Sequence, residues 1–184
     1  MPLTHLSITL LLVIIWGLNF VIIQVALQEI PPIILTFLRF FFAAFPAVFF
    51  IKPPKTSWRM LFYYSITLIV LDFCFLFTGM YMGVSAGMAS LTLQTQVFFT
   101  AILAMIFLKE RMSKAQIFGS CIAFLGIVYV GFHTGGDVNL TGLILVELAA
   151  LSWAIGNLVS KKIERVDMLS LVTWGSLLSL PFLL

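Results

Sequence analysis

Nine of the ten Lys and Arg residues of this chain crowd into three short gaps between long apolar runs. Lys52, Lys55 and Arg59 fill the first gap, Lys109, Arg111 and Lys114 the second, and Lys161, Lys162 and Arg165 the third. The gaps that alternate with these carry only Glu29, the uncharged stretch around Gly83, and Asp137. An apolar run of about 20 residues, rising 1.5 Å per residue, crosses a hydrocarbon layer about 30 Å thick. Lys and Arg at the ends of such helices are retained on the cytoplasmic side, so the alternation sets an orientation as well as a class. The pattern predicts an all-α, polytopic transmembrane helix bundle with its N-terminus inside.

Composition points the same way. The chain is 62% hydrophobic and 9% charged, where soluble domains carry roughly a quarter charged residues. The net charge of +3 is the loop bias just described and not a signal for nucleic acid. Cys74 and Cys121 fall inside apolar runs and read as small packing residues; a disulfide framework or metal site needs more cysteines at closer spacing. The first apolar stretch is too long for a cleavable signal and lacks a small-residue cleavage site, so it reads as a retained helix.

The expected spans are Leu6–Leu27, Pro31–Ile51, Met60–Met82, Val84–Leu108, Ala115–Phe132 and Gly142–Ser160. Short loops suggest that successive helices pack as antiparallel neighbours. A last segment, Met168–Leu184, is apolar to its final residue, reaches only about 25 Å as a helix, and would leave a carboxylate in or near hydrocarbon. The chain therefore reads as a truncated copy of something longer. An internal repeat agrees: Trp16-Gly17-Leu18-Asn19-Phe20 has a counterpart in Trp153-Ala154-Ile155-Gly156-Asn157. Gln24 and Lys161 each follow eight residues after the Trp, and Pro46 and Pro181 come in the next helix. An odd number of helices separates the copies, so the second runs opposite to the first. That is an inverted repeat, the architecture in which secondary transporters bind substrate near the midplane.

Few side chains in the spans could carry chemistry. Arg39 and Asp72 both fall near the bilayer centre, on helices joined by a short loop. A lone Arg there costs roughly 2.5–3.5 kcal/mol on insertion scales, so a partner or water is expected. The pair reads either as a substrate or proton site or as an ion pair that packs the bundle. The fourth helix carries two polar stripes, Gly87-Ser90-Gln94 and Thr92-Gln96-Thr100, about 160° apart. Only one can face a central cavity. Gly79, Gly83 and Gly87 suggest close packing or turn chemistry, and Glu147 reads as a shallow gate or a hydrated group near the outer interface. No zinc pattern, nucleophile elbow or phosphate-cradling Gly loop is present in the sequence, so no enzyme activity, cofactor or metal is expected.

Taken together, Trp16-Gly17-x-Asn19-Phe20, Phe37-Leu38-Arg39-Phe40, Ala86-Gly87-Met88-Ala89-Ser90-Leu91 with Gln94-Thr95-Gln96, and Lys109-Glu110-Arg111 followed by Gln116 and Gly119 resemble the drug/metabolite transporter superfamily of the EamA type. Within it the likeness is to exporters of O-acetylserine and cysteine, and it extends to Ser152-Trp153-Ala154, Gly156-Asn157 and Lys161-Lys162. The resemblance implies a ten-helix carrier of two five-helix repeats in the bacterial inner membrane, exporting small amino-acid-like metabolites. Residues 1–134 would form the first repeat, and residues 135–184 would begin an inverted second one. On this reading Arg39 grips a substrate carboxylate, and Asp72 orients Arg39 or carries a proton. Trp16, Asn19, Ser90, Gln94 and Asn157 stand around them. The small four-helix multidrug relatives fit less well, because the first helix has no acid before Glu29. A further expectation is a helix partner or oligomer that completes the second repeat, the remaining partners being a small-molecule substrate and the lipid bilayer. The competing expectation is a membrane component that does not itself transport.

The orientation is testable by cysteine labelling from outside the cell. Asp137→Cys should be modified by an impermeant reagent and Lys55→Cys should not; the opposite pattern would reverse the topology.

Overall fold

The computed structural model describes residues 3–133, 139–163 and 166–184, and the regular structure among them is entirely helical. Asp137 and Arg165, on which part of the charge pattern rests, lie outside the described residues. Helix α1 spans Leu3–Ala26 and α2 spans Pro32–Ala44, followed by a 3-10 turn at Ala47–Phe49. The third passage is compound: α3 (Trp58–Ser65), a π-helical stretch (Ile66–Leu71) and α4 (Asp72–Tyr81). The fourth is α5 (Ala86–Leu93) and α6 (Gln96–Phe107), with a break between them. Then come α7 (Lys114–His133), α8 (Leu140–Lys162) and α9 (Met168–Ser179), which ends in a 3-10 turn at Leu180–Phe182.

Five helices are long and apolar enough to cross a bilayer, namely His5–Ala26, Pro32–Phe49, Trp58–Tyr81, Ala86–Phe107 and Leu140–Lys162; Lys114–Val130 and Met168–Phe182 are shorter apolar helices. The chain is a multi-pass membrane protein. Nothing in the sequence marked the π stretch or the break between α5 and α6. Pro46 and Pro181, the prolines paired by the repeat, each stand where an α-helix gives way to a 3-10 turn, as expected of a residue without an N–H to donate. The starts of α3, α5, α8 and α9 each carry a side-chain cap. Ser57, Ser85 and Asn139 accept hydrogen bonds from Met60, Met88 and Thr141 backbone N–H groups. At the start of α9, the exposed Asp167 accepts from the Ser170 N–H and from its hydroxyl, and these bonds hold its carboxyl below the usual range.

The expectation that neighbours in sequence pack together fails for α8. This helix packs chiefly on α4, the π stretch, α5 and α6 rather than on α7, and α9 packs on α2 and α3. The cause is the small residues of α8. Gly142, Ala149, Ala150, Ala154 and Gly156 are buried, and they let the third passage approach closely. A Cβ on Gly79 would lie 2.7 Å from the Gly142 carbonyl oxygen, and one on Gly142 would lie 2.9 Å from that of Gly79. Farther along, a Cβ on Gly156 would lie 2.2 Å from Leu68 Cγ in the π stretch. Between apolar helices in a bilayer there is no hydrophobic drive, so closeness of packing selects the partner and loop length does not. Two glycines of α7, Gly119 and Gly126, have nothing within 4 Å of where a Cβ would stand. Helices α1 and α7 accordingly sit outermost, with Leu11, Leu12, Val13, Phe118 and Leu125 exposed as a lipid-facing surface would require.

The core has two parts. One gathers Phe20, Ile23, Phe77, Ala89, Val146 and Ala150; the other gathers Phe40, Leu61, Tyr64, Ile69 and Leu171. Phe73 borders both.

Of the three glycines spaced four apart, Gly79 serves the crossing, Gly83 adopts φ +105° in the turn, and Gly87 faces open space. Overpacking of a tight contact typically costs about 1–3 kcal/mol. Gly79→Ala should therefore lower the thermal unfolding temperature of the purified protein in detergent, and Gly87→Ala should leave it within error. Equal effects would refute the assignment of the Gly79–Gly142 crossing.

Candidate functional site

Trp16 and Asn19 lie one turn apart on the same face of α1, because three residues is close to a full turn. Asn19 Oδ1 accepts a hydrogen bond from Arg39 Nη1 on α2 at 3.1 Å. The guanidinium lies over the ring of Phe73 on α4, 4.9 Å from its centroid, close enough for a cation–π attraction. Arg39 remains exposed on its other side, so its other N–H groups are free to meet a ligand's oxygens. A guanidinium held this way recognises a planar carboxylate by two parallel hydrogen bonds.

Asp72 begins α4, next to Phe73. It interacts electrostatically with Arg39, yet among the described residues the ion pair is Lys161–Glu110, and Asp72 forms none. Its exposure is 1%, and Oδ1 has no hydrogen-bond partner.

On α8, Trp153 and Asn157 share a face at i, i+4 spacing. Trp153 meets Trp16 with ring centroids 5.9 Å apart. Asn157 Nδ2 donates to Gln96 Oε1 at 3.3 Å and to Thr100 Oγ1 at 3.2 Å on α6. A connected run of polar and aromatic side chains thus crosses from α2 through α1 and α8 to α6. The structure brings Arg39, Asn19, Trp16 and Asn157 onto this run. Ser90 and Gln94 are not on it: Ser90 donates to its own turn at Gly87 O, 2.8 Å away, and Gln94 is exposed at the α5–α6 break. The stripe that turns to α8 is Thr92-Gln96-Thr100, whereas the expected site drew on Ser90 and Gln94 of the other stripe. Phe73, Gln96 and Thr100 are the residues missed. The Thr/Gln spacing was a signal for the last two; nothing in the sequence marked Phe73.

Two more polar contacts were unforeseen. Gln24 Oε1 accepts from the Ala86 N–H at 2.8 Å, tying α1 to the start of α5. Glu147 is half-buried and hydrogen-bonds Thr95 at 2.8 Å, so it belongs to the α5–α6 break and is not simply a hydrated surface group. It lines a cavity of about 570 Å³ with Phe98, Phe124 and Cys121.

The sequence was compared with known proteins. A family model described as the EamA-like transporter family matches residues 4–132. A protein of Salmonella typhimurium named "Probable amino-acid metabolite efflux pump" is 41% identical over 96% of this chain and 62% of its own length. One of the same name from Escherichia coli is 41% identical over 95% of this chain and 61% of its own length. An "Uncharacterized transporter" of Archaeoglobus fulgidus is 30% identical over 91% of this chain and 63% of its own length. The chain thus spans a little over three fifths of the relatives it matches. No solved structure matches it.

The Arg39–Asn19 contact is testable by a double-mutant cycle on unfolding in detergent. Side chains in contact couple by roughly 0.5–3 kcal/mol, so Arg39→Ala and Asn19→Ala should be non-additive by that order. Strict additivity would remove the contact.

Proposed function

Because this chain belongs to the EamA-like transporter family, we propose that it forms the substrate-binding part of a secondary carrier that exports small amino-acid-like metabolites, of the cysteine and O-acetylserine type. The carrier resides in the bacterial inner membrane with its N-terminus in the cytoplasm, as the Lys and Arg gaps favour. The observation that carries the reading is Arg39: a cation inside an apolar bundle, steadied by Asn19 and Phe73 and open on one side. A charge at that depth is costly and marks a functional site by default, and a guanidinium fits the one group that amino-acid-like metabolites share, a carboxylate. Trp16 and Trp153 supply an apolar wall, Asn157 and Asn19 supply hydrogen-bonding amides, and Asp72 sets the field around the guanidinium.

Residues 1–134 form a first repeat and residues 135–184 the start of an inverted second repeat. Two contacts support this division. The paired tryptophans Trp16 and Trp153 touch, and α2 packs on α9, the helices that carry the paired prolines at their ends. Equivalent elements that meet in pairs are what a two-fold axis between repeats produces. Further helices, from the same polypeptide or a partner, complete the second repeat and close the cavity.

Arg39→Lys in the intact carrier is the decisive variant. Lys keeps the charge but not the planar two-point grip, and a hydrogen bond to a charged group is worth about 1.5–3 kcal/mol. Export of O-acetylserine should fall at least tenfold while the protein inserts and accumulates normally. Parental export by this variant would remove Arg39 as a substrate ligand.

A further inference from the structure

The Glu147 carboxyl takes no part in the contacts of Arg39 with Asn19 and Phe73 and has a chemistry of its own. Glu147 Oε2 is 2.8 Å from Thr95 Oγ1, and Thr95 Oγ1 is 2.8 Å from the Thr92 carbonyl oxygen. A hydroxyl has one proton to give and two lone pairs to accept with. If Glu147 is a carboxylic acid, it donates to Thr95, and Thr95 donates to the Thr92 carbonyl in one continuous chain. If Glu147 is ionised, the hydroxyl turns and donates to it, and the Thr92 carbonyl keeps the Thr95 N–H at 3.0 Å. The same heavy-atom positions satisfy both forms.

The surroundings make that two-way fit meaningful. Two cavities flank the carboxyl, of about 570 Å³ beside Phe98 and Phe124 and of about 400 Å³ beside Met88 and Ile144. Both are lined almost wholly by apolar side chains, from α5, α6 and α7 as well as α8 itself. Among their described lining residues the other titratable group is the Cys121 thiol on α7. On α4, which also packs on α8, the acidic residue is Asp72, and among the described residues the ion pair is Lys161–Glu110, so no cation lies within ion-pair distance of Glu147. An ionised carboxyl in an apolar bundle with a single donor and no cation is expensive to maintain.

We infer that Glu147 is a proton-binding site: its carboxyl takes up and releases a proton at the α5–α6 break, with the Thr95 hydroxyl as a partner that serves both forms. The proton comes from water and returns to water. It makes and breaks one O–H bond on the Glu147 carboxyl, while Thr95 keeps its own proton and only rotates. In the exporter this proton is the coupling ion, a statement that rests on the proposed function; the titration itself does not.

Infrared difference spectroscopy across a pH titration of the full chain in lipid nanodiscs tests the site. The wild-type protein should show a carboxylic-acid C=O band that titrates. Glu147→Gln should lose it, and Asp72→Asn should keep it. Thr95→Val, which deletes the partner, should shift the band to higher frequency, and Thr95→Ser should restore its position. Spectra that are the same in wild type and Glu147→Gln would overturn the proposal. If Glu147→Gln does not fold, a band unmoved by Thr95→Val does so instead. In the intact carrier, Glu147→Gln should export with no response to an imposed proton gradient; a parental response would overturn the coupling role. If the carrier exports no metabolite at all, the exporter reading fails while the infrared result stands.

Discussion

The bundle depends on how closely α8 approaches the third passage. Gly79 and Gly142 bring two backbones together where a single Cβ on either would strike a carbonyl oxygen. Gly156, farther along α8, receives Leu68 from the π stretch. In a bilayer an apolar helix gains nothing by exchanging lipid for another apolar surface, so only tight contact and hydrogen bonds fix a partner. These glycine contacts draw α8 past its neighbour α7 and into the middle of the molecule. Once it is there, Trp153 reaches Trp16 and Asn157 reaches Gln96 and Thr100.

The irregular stretches lie where the polar groups are. The π stretch Ile66–Leu71 ends at Asp72, and the break between α5 and α6 falls at Gln94-Thr95, beside Glu147. Extra or missing residues in a helical turn rotate everything that follows relative to what precedes, and such bulges recur at functional sites. Directly after the π stretch, Asp72 is buried and without a partner on Oδ1, and Phe73 lies under a guanidinium. The α5–α6 break lets Thr92 and Thr95 hydrogen-bond within one turn while Thr95 also meets α8. Backbone irregularity of this kind survives in a membrane only where side chains and neighbouring helices satisfy the groups it frees.

Much of this was legible beforehand. Spacing and hydropathy located the passages to within a few residues, and the depth of Arg39 singled it out. The repeat motif singled out Trp16, Asn19 and Asn157, which do join one run of contacts. Ser90 and Gln94 were placed with them through a straight-helix projection of the fourth passage. The break at Gln94-Thr95 was invisible to that projection, and Thr92, Gln96 and Thr100 took the place facing α8. Arg39 and Asp72 stood out because both are charged and deep; they interact electrostatically without forming a direct ion pair, and depth alone does not set the distance between two side chains.

The sequence by itself determined the class, the number of apolar runs, their bias in charge and the family, because these depend on composition and on one-dimensional order. A run of about 20 apolar residues must cross a bilayer whatever lies beside it, and Lys and Arg resist translocation one loop at a time. Tertiary structure alone decided that α8 would sit at the centre, that Arg39 would rest on Asn19 and Phe73, and that Glu147 would share a hydroxyl with Thr95. Those outcomes turn on helix rotation and on contacts of a few ångströms between residues 20, 34 and 52 positions apart. Nothing in the local order of a chain encodes such contacts until the small residues have chosen which helices touch.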